Sequence, residues 1–504
     1  MGTFSRGHAS FHPSHRDLGN PGGLLAVLIV LAIAIGLRIL AWSPFDASHP
    51  DELMQYAEQA NRLATGHGIR PWETRLGLRN SLIPQLLSVP VWLGHHFAPG
   101  TMTGYYLARA TFETLTLLAL PGAWLLGVQV SRRHALLAMF IVAIWWESVL
   151  FSSLLLSESL ASALLLLASG LLLDARTTKA RSGLGGFLLG MALLVRFQYA
   201  PVGLIVFVAC LWRKPGKWPA VLTGGLIAAL LGAISDLVAG AIPFAWFFIN
   251  FAQNIGVGKA AEFGVRPAWQ YLLDYYLHFG AAALIVVLGC ALASGRRFAP
   301  LLLAAIVNVA LHSLIAHKEY RFVWFSTLVF LVLAAIGSLR ITQTLLKRHI
   351  TPERLNGASL VTAMAGWALL CGASFIATGG YTAFRGGGNI TQLAIQAAND
   401  PRVCRLAVAE AFYYHTVPAL LPRELPLSIA PKGVYEGEIP LPHELARAAN
   451  ALLMEDKRPI GSEGYRKIAC RDLPDERPCL YIRAGSCTPD PLYNYQKALQ
   501  DGGM

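Results

Sequence analysis

The sequence predicts an all-α polytopic membrane protein of about 11 transmembrane helices, followed by a small soluble α/β domain. Two observations predict this fold class. Of the 504 residues, 55% are hydrophobic and only 14% are charged, so the chain is far more apolar than a soluble domain of this length requires. Apolar residues also recur in segments of about 20, the length that crosses a bilayer core as a helix.

The predicted spans divide the chain into three parts. Residues 1–23 form a polar N-terminal tail, and no clear cleavage site follows the first span, so we expect that span to be a retained anchor. Residues 24–378 form the membrane domain, which includes a large outer loop at 43–103. Residues 379–504 form the soluble tail.

Individual spans are expected where apolar residues run without interruption. The predicted segments are 24–42, 104–130, 135–151, 153–173, 220–241, 271–294, 298–316, 321–339 and 358–378. Residues 184–212 are too long for one helix, and they fit a hairpin of two short helices that turns at Arg196-Phe197-Gln198.

Basic residues lie in short clusters between the predicted spans, as the positive-inside rule predicts for cytoplasmic loops. The net charge of +12 therefore does not indicate nucleic-acid binding. The clusters are Arg132-Arg133, Arg176/Lys179/Arg181, Arg213/Lys214/Lys217, Arg296-Arg297 and Arg340/Lys347/Arg348/Arg354.

The segment Leu82 to Phe97 decides the topology. It is nearly long enough to span, yet it carries two prolines and the pair His95-His96. If it spans the membrane, every later basic cluster moves outside; if it lies along the interface, all of them are cytoplasmic. We adopt the interfacial interpretation, which places the N-terminus inside and the C-terminus outside.

The tail has the mixed periodicity of a globular α/β domain. Residues Arg405 to Glu410 are strand-like, and Pro442 to Met454 has helical periodicity. Cysteines in the spans are expected to be buried apolar residues: Cys210, Cys290 and Cys371. The four cysteines of the tail are Cys404, Cys470, Cys479 and Cys487. They permit one or two disulfides, in any of three pairings. A zinc site is the weaker alternative, because no C-x-x-C pair occurs.

Two adjacent carboxylates follow the first predicted span, in the segment His49-Pro50-Asp51-Glu52. Neighbouring carboxyl groups in a partly dehydrated cleft push their pKa values apart, which leaves one as a general base near neutral pH. Acidic residues also favour the first turn of a helix. The residues alone favour the helix-capping interpretation over the catalytic one.

A group of cations lies at the outer end of another span, in the segment His317-Lys318-Glu319-Tyr320-Arg321-Phe322. His317, Lys318 and Arg321 can bind a phosphate, with Glu319 orienting them. Lysine and arginine at span ends also snorkel to the interface, and the residues alone do not separate these interpretations.

Several ionisable residues fall inside predicted spans, where each costs about 2.5–3.5 kcal/mol near a helix centre, so we expect them to face protein or a wet cavity. Arg109 and Glu113 are four residues apart and are expected to pair on one helix face. Glu158, Arg196 and Asp236 are candidates for a substrate cleft. The full set is Arg38, Arg109, Glu113, Glu147, Glu158, Arg196 and Asp236.

Two tryptophans of the outer loops are further candidates for substrate contact. Trp72 belongs to the stretch Arg70-Pro71-Trp72-Glu73, and Trp269 ends the stretch Gly264-Val265-Arg266-Pro267-Ala268-Trp269. Both can stack on sugar faces, although aromatic residues at an interface usually belong to the membrane's aromatic belt.

Together these segments resemble glycosyltransferase family 22, the polyprenyl-phosphate-mannose-dependent mannosyltransferases. The HPDE-type loop, the Trp72-Glu73 stretch, Leu78-Arg79-Asn80 and the His-Lys-Glu-x-Arg-Phe motif carry the resemblance, which covers roughly residues 24–340. The resemblance implies a GT-C fold, whose first outer loop contains interfacial helices. In the loop at 264–269 the chain departs from the family's Gly-Thr-His-Pro-Trp turn, and this departure leaves the donor or acceptor specificity open.

The resemblance also implies a reaction and roles for residues. A sugar, expected to be mannose, moves from a polyprenyl-phosphate donor to a lipid- or glycan-linked acceptor by a single inverting displacement. Asp51, rather than Glu52, is the implied base, and His49 lies in the same cleft. The implied phosphate ligands are His317, Lys318 and Arg321.

No metal or other cofactor is expected, because no outer loop shows the D-x-D pattern with which nucleotide-sugar enzymes hold a metal. The expected partners are the lipid-linked donor, the acceptor and membrane lipids. The sequence does not predict an oligomeric state. A bacterial inner membrane, with the site on its outer face, is favoured over the endoplasmic reticulum of a eukaryote.

Two alternatives remain open at this point. Another GT-C transferase would move a different sugar, such as arabinose or aminoarabinose. A transporter of lipid or sugar would also carry charges within its spans, but it would show internal inverted repeats and broken helices near the midplane. The sequence shows no such symmetry.

Overall fold

A computed structural model of the protein describes residues 21–502, apart from 437, 457–463 and 473–476. Nearly all of the predicted N-terminal tail, residues 1–23, lies outside this range. The described chain is mostly helical up to residue 399 and ends in a small domain with a five-stranded sheet. This confirms the predicted fold class.

The first part of the chain is a bundle of helices with short connections. In chain order its helices are α1 (Pro21–Leu40), α2 (Glu58–Thr65), α3 (Trp72–Leu76), α4 (Leu82–Phe97), α5 (Thr103–Thr116), α6 (Ala119–Gly127), α7 (Arg132–Ile144), α8 (Trp146–Ser153), α9 (Ser157–Leu173), α10 (Lys179–Val195), α11 (Ala200–Arg213), α12 (Trp218–Val238), α13 (Ala245–Phe251), α14 (Lys259–Glu262), α15 (Gln270–Phe279), α16 (Ala281–Leu292), α17 (Ala299–Ser313), α18 (Trp324–Leu346) and α19 (Pro352–Ala377).

Within the described part of the chain, 5 helical segments are long and apolar enough to cross a membrane. They are Gly23–Leu40, Thr103–Gly127, Pro215–Val238, Tyr320–Leu346 and Pro352–Ala377. Two bent pairs, α7 with α8 and α15 with α16, raise the number to 7 if each pair is one span. The protein is therefore a multi-pass membrane protein, and the total of about 11 spans stays a prediction.

The hairpin predicted within residues 184–212 is confirmed. Helices α10 and α11 meet at Arg196-Phe197-Gln198, where Arg196 has an extended backbone (φ −150°, ψ 93°). The predicted single span at 271–294 is wrong in shape, because α15 and α16 form an angle of 106°. The bend lies at Gly280, whose φ of 73° is disfavoured for residues with a side chain.

The first outer loop contains three helices, α2, α3 and α4. Helix α4 has 16 residues and packs against α2 and α5. A Cβ atom on Gly94 would lie 2.2 Å from the backbone of Gly104, so α4 and α5 approach closely at a point where only glycine fits. This packing fixes α4 beside the bundle.

Basic loops gather at one end of the bundle. The Arg213 guanidinium donates to the Arg297 carbonyl at 2.8 Å, and Arg340 bonds to the carbonyls of Ala293 and Ser294. Helix α18 runs for 23 residues from the Arg321 end to the Arg340 end. The segment that follows the first span and the segment at 317–322 therefore lie opposite the basic loops.

The tail domain contains a mixed sheet with strand order β2-β1-β3-β5-β4. Strand β1 pairs in parallel with β2 and β3, whereas β5 is antiparallel to β3 and β4. Its elements are α20 (Gly388–Asn399), β1 (Leu406–Ala409), β2 (Leu427–Ala430), α21 (Lys432–Glu436), α22 (His443–Ala448), β3 (Ala451–Glu455), β4 (Arg466–Cys470), β5 (Pro478–Ile482) and α23 (Tyr495–Asp501).

The strand predicted at Arg405 to Glu410 is confirmed by β1. The helix predicted for Pro442 to Met454 is wrong in its second half, since α22 ends at Ala448 and β3 follows. All five residues of β3 are buried in the middle of the sheet. A short apolar run covered on both faces has no alternation that would distinguish a strand from a helix.

The tail cysteines form two disulfides, Cys404–Cys487 and Cys470–Cys479. Among the described residues, Asp456 lies with Cys470 and Cys479 at metal-ligand distances, but the disulfide removes the thiolates that zinc requires. Of the span cysteines, Cys210 and Cys371 are buried as predicted, whereas Cys290 is only half-buried.

The tail domain is attached to the first outer loop by buried and surface contacts. Asp46 accepts hydrogen bonds from the backbone N–H groups of Gly386 and Gly388 at 2.9 and 2.8 Å. Glu58 accepts one from Ala419 N at 2.9 Å. These contacts place the domain directly over the loop that carries Asp51.

Candidate functional site

Arg321 lies at the centre of a network of charged side chains. Its Nε donates to Glu319 Oε2 at 2.6 Å, and its Nη2 forms an ion pair with Asp51 Oδ2 at 2.8 Å. Glu158 Oε1 lies 3.6 Å from the same Nε. Carboxylates from three separate segments therefore converge on one guanidinium whose side chain is only 10% exposed.

Glu52 is fully buried, and each of its oxygens accepts two hydrogen bonds. Oε1 accepts from the N–H groups of Ser48 and His49 at 2.8 and 3.1 Å. Oε2 accepts from Arg109 Nη1 at 3.2 Å and from Leu155 N at 3.0 Å. Glu52 therefore caps the helical stretch that it begins, Glu52–Ala57, by binding back to preceding N–H groups.

Asp51 is the accessible member of the carboxylate pair. Its side chain is 17% exposed and contacts Arg321 at 2.8 Å and His49 at 3.5 Å. The helix-capping interpretation therefore applies to Glu52, and the catalytic interpretation applies to Asp51. The geometry favours Asp51 over Glu52 as a group that substrate can reach.

The predicted pair of Arg109 and Glu113 is wrong. Arg109 instead forms a buried ion pair with Glu52 at 3.2 Å. In the described chain Glu113 Oε1 has no hydrogen-bond partner. Glu52 reaches Arg109 from the outer loop, a tertiary contact that sequence spacing along one helix does not reveal.

His49 connects Asp51 to Glu319. Its Nε2 lies 3.2 Å from Glu319 Oε2, and its Nδ1 lies 3.5 Å from Asp51 Oδ2. Burial disfavours the charged ring, but the charge of Asp51 and the hydrogen bond with Glu319 raise the pKa of His49 above its ordinary value. His49 therefore stays protonated to a higher pH than a free imidazole.

His317 and Lys318 bind protein groups of the neighbouring outer loop. His317 Nε2 lies 2.7 Å from Glu319 Oε1, and its Nδ1 lies 3.2 Å from the Gly264 carbonyl. Lys318 Nζ donates to the carbonyls of Arg266 and Ile315 at 2.9 and 2.5 Å. Lys318 thus holds the loop that departs from the family pattern, and its phosphate-binding role stays a prediction.

Glu319 is held ionised by its neighbours. Burial alone would favour its protonated form, but hydrogen bonds with His317 and His49 and the charge of Arg321 hold the pKa of Glu319 well below its usual range. It is therefore a fixed negative charge that orients both histidines and Arg321.

Two of the predicted cleft residues, Glu158 and Arg196, join the network. Arg196 Nη1 lies 2.7 Å from Glu158 Oε1, and both side chains are at least 95% buried. The Arg196 guanidinium also lies over the Phe322 ring at 4.9 Å. The α10–α11 turn is thereby joined to the beginning of α18.

Asp236, Trp72 and Trp269 take other positions. Asp236 accepts hydrogen bonds from Asn80 Nδ2, Phe244 N and Trp246 Nε1 at 2.7 to 3.1 Å and fixes an outer loop. Trp72 stacks on Phe263 with a ring-centroid distance of 6.0 Å. Trp269 is 59% exposed. No contact of these three with Arg321 occurs among the described residues.

Sequence analysis missed two charged residues beside Asp51. Glu73 accepts a hydrogen bond from Gln55 Nε2 at 2.9 Å, and burial together with the charge of Asp51 raises the pKa of Glu73 to about 7. Arg79 lies within the electrostatic influence of Asp51, Glu73 and Glu158. Both residues belong to stretches that carried the family resemblance, but no sequence spacing indicates their proximity to Asp51.

The sequence model of the Alg9-like mannosyltransferase family matches residues 27–386. The chain belongs to this family. It is therefore a membrane glycosyltransferase of the GT-C type, as the resemblance implied. A comparison with curated proteins gave no match.

The fold is similar to that of ArnT, a solved membrane enzyme, and less similar to that of an archaeal oligosaccharyltransferase. ArnT from Cupriavidus metallidurans in the apo state has a TM-score of 0.59 and 14% identity, covering 93% of this chain and 100% of that chain. The same protein bound to undecaprenyl phosphate has a TM-score of 0.60 and 14% identity, covering 94% and 100%. The Archaeoglobus fulgidus oligosaccharyltransferase in the apo form has a TM-score of 0.48 and 14% identity, covering 87% and 70%.

Proposed function

We propose that this glycosyltransferase moves mannose from a polyprenyl-phosphate donor to a lipid- or glycan-linked acceptor. The contact between Asp51 and Arg321 carries the proposal, because it presents one accessible carboxylate among fixed cations. The ArnT complex with undecaprenyl phosphate supports the class of donor. The choice of mannose rests on the family description.

In the proposed reaction Asp51 is the general base. It takes the proton of the acceptor hydroxyl as the hydroxyl oxygen forms a bond to the anomeric carbon of the sugar. The bond from that carbon to the phosphate oxygen breaks, and its electron pair stays on the phosphate. The attack from the opposite side inverts the anomeric carbon.

Side chains supply the positive charge in this mechanism. The outer loops lack a D-x-D pattern, so we propose that protein cations, rather than a metal ion, neutralise the departing phosphate. Arg321 and His49 hold the Asp51 carboxylate from two sides. A base that is already oriented avoids a reorganisation step when substrate arrives.

We place the site on the outer face of a cytoplasmic membrane, most simply a bacterial inner membrane. The basic loops gather at the opposite end of the bundle, which the positive-inside rule assigns to the cytoplasm. Two disulfides in the tail domain support an oxidising compartment for the end that carries Asp51.

A second candidate is the transfer of another sugar, such as arabinose or aminoarabinose. It is favoured by the loop at 264–269, where Val265-Arg266 replaces the family's Thr-His. Lys318 binds the Arg266 carbonyl at 2.9 Å, so this variant loop lies directly against the candidate site. A changed loop at that place alters the surface available to donor or acceptor.

The test is transfer by the purified protein in the presence of membrane extract, with radiolabelled polyprenyl-phosphate mannose, arabinose or aminoarabinose as donor. We expect a labelled lipid or glycan with mannose, lost in Asp51→Asn and retained in Asp501→Asn, a matched change on an exposed residue of α23. Product from arabinose or aminoarabinose alone would favour the second candidate. No product from any donor would contradict the proposal.

A further inference from the structure

Arg79 extends from backbone that is held on both sides. The Leu78 carbonyl accepts a hydrogen bond from Asn250 Nδ2 at 3.1 Å. The Asn80 side chain donates to Asp236 Oδ1 at 2.7 Å. Asn250 and Asp236 are buried, so the position of Arg79 in the first outer loop is set by two contacts with a different part of the chain.

The guanidinium of Arg79 lacks a direct partner. Its Nε is buried without a hydrogen-bond acceptor, and no carboxylate of the described residues lies within 4.0 Å of it. By contrast Arg321, Arg196 and Arg109 have carboxylate oxygens at 2.6, 2.7 and 3.2 Å. A buried Nε–H group without an acceptor is costly unless a ligand supplies one.

Arg79 also lines a small cleft in the surface. The cleft lies between the first outer loop, the α10–α11 turn and the segment around Trp246. Its lining is mixed: Tyr56, Asn80, Gln198 and Asn250 are polar, whereas Leu82, Val195 and Phe197 form an apolar wall. One cation beside an apolar wall suits a lipid with an anionic head group.

The apolar wall continues onto the outside of the bundle. Leu82 begins α4, whose residues Leu86 and Val89 are exposed. Gln85 of the same helix donates to the Ser235 carbonyl of α12 at 2.9 Å, and α12 exposes Leu231 and Ile234. A hydrocarbon chain that leaves the cleft therefore meets apolar surface on both helices.

We propose that Arg79 is the residue that binds the phosphate of the polyprenyl-phosphate donor, with the first isoprene units lying against Leu82, Val195 and Phe197. This inference rests on the proposed function, and it differs from the expectation that the His317 segment supplies the phosphate ligands. The cations of that segment are bound to Glu319, Asp51 and loop carbonyls, whereas Arg79 has its donors available.

Arg79 contributes most as the sugar leaves. The phosphodiester of the donor carries one negative charge, and cleavage of its bond to the sugar leaves a phosphomonoester with a second. The proton of the acceptor hydroxyl goes to Asp51, so the new charge stays on the phosphate. A guanidinium beside that phosphate binds the product state and the transition state more strongly than the donor.

Binding of undecaprenyl phosphate to the full-length protein in nanodiscs tests the inference. We expect Arg79→Gln to weaken binding by about 10- to 100-fold, the effect of one charged hydrogen-bonding group. Binding of undecaprenol, which has the same chain without the phosphate, should change less than twofold. Arg70→Gln, the same substitution on an exposed residue of the same loop, should retain full affinity.

A second variant tests the cleft without touching Arg79. Val195→Trp fills space on the apolar wall and should weaken the binding of undecaprenyl phosphate and undecaprenol alike, by tenfold or more. Full affinity for undecaprenyl phosphate in well-folded Arg79→Gln or Val195→Trp protein would overturn the inference alone. A wild-type protein that binds no polyprenyl phosphate would overturn the proposed donor class as well.

Discussion

Arg321 forms an ion pair with Asp51 at 2.8 Å and thereby joins the first outer loop to the beginning of α18. These residues are separated by 270 positions in the sequence, which is 321 minus 51. The contact brings the two motif segments together and leaves Asp51 partly exposed. Its neighbour Glu52 is buried by a different set of contacts, so the two adjacent carboxylates should respond differently to substitution.

Glu52→Gln should lower the stability of the folded protein more than it lowers the rate of sugar transfer. The substitution leaves Arg109 as a buried guanidinium without its carboxylate, and breaking a buried ion pair in this way costs about 3–5 kcal/mol. Thermal unfolding of the purified protein in detergent measures the effect. Glu262→Gln, which removes an exposed carboxylate paired with Lys259, is the matched control and should change stability by no more than about 1 kcal/mol. Equal unfolding temperatures for both variants would contradict the structural role of Glu52.

Arg321→Lys should reduce turnover more than donor affinity. Lysine keeps the positive charge but cannot bind Glu319 and Asp51 together through a planar fork. Asp51 then loses its fixed orientation, and we expect kcat to fall by at least about tenfold. The affinity for undecaprenyl phosphate should change less than threefold, because that affinity is assigned to Arg79. A large loss of affinity with unchanged kcat would return the phosphate-binding role to Arg321.

Stability should fall as pH rises from about 4.5 to 7 because of Glu58. Burial raises the pKa of Glu58 to about 7, although Ile69 N and Ala419 N donate to its oxygens. An unfolded chain loses this proton near pH 4.3, so the folded state binds more protons between these values and is destabilised as they leave. Above about pH 7 the contribution is constant.

Unfolding temperature measured across this pH range checks the Glu58 prediction. Glu58→Gln cannot titrate, so its stability should depend less on pH than that of the wild type between pH 4.5 and 7. Glu262→Gln, a change on an exposed carboxylate that pairs with Lys259, should keep the wild-type dependence. An identical pH profile for wild type and Glu58→Gln would contradict the prediction.

The sequence predicted the parts of the site that depend on topology. Apolar segments, together with basic loops, placed the segments at 49–52 and 317–322 at the same end of the bundle, and the structure joins them through Asp51 and Arg321. The hairpin turn at Arg196 followed from segment length alone. These features depend on helix length and on the burial of apolar surface, and both can be predicted from the residues of a single segment.

Partner choice within the site could not be predicted. Arg109 pairs with Glu52 instead of Glu113, which is closer to it in sequence, and Lys318 binds a carbonyl of the outer loop. Such contacts depend on distances between segments that are far apart in sequence. The helix predicted where the strand Ala451–Glu455 lies was also wrong. Burial of this strand on both faces removes the alternation of apolar and polar residues that identifies strands.

The single-turnover rate of Asp51→Asn directly tests the proposed role of Asp51 as the general base. Asparagine keeps the shape of the side chain and can still accept a hydrogen bond from Arg321, but it cannot take the acceptor proton. With saturating donor and acceptor, we expect the rate to fall by about 10²–10⁴-fold, while undecaprenyl phosphate affinity and unfolding temperature stay near wild type. Near-normal single-turnover transfer by well-folded Asp51→Asn protein would contradict the account.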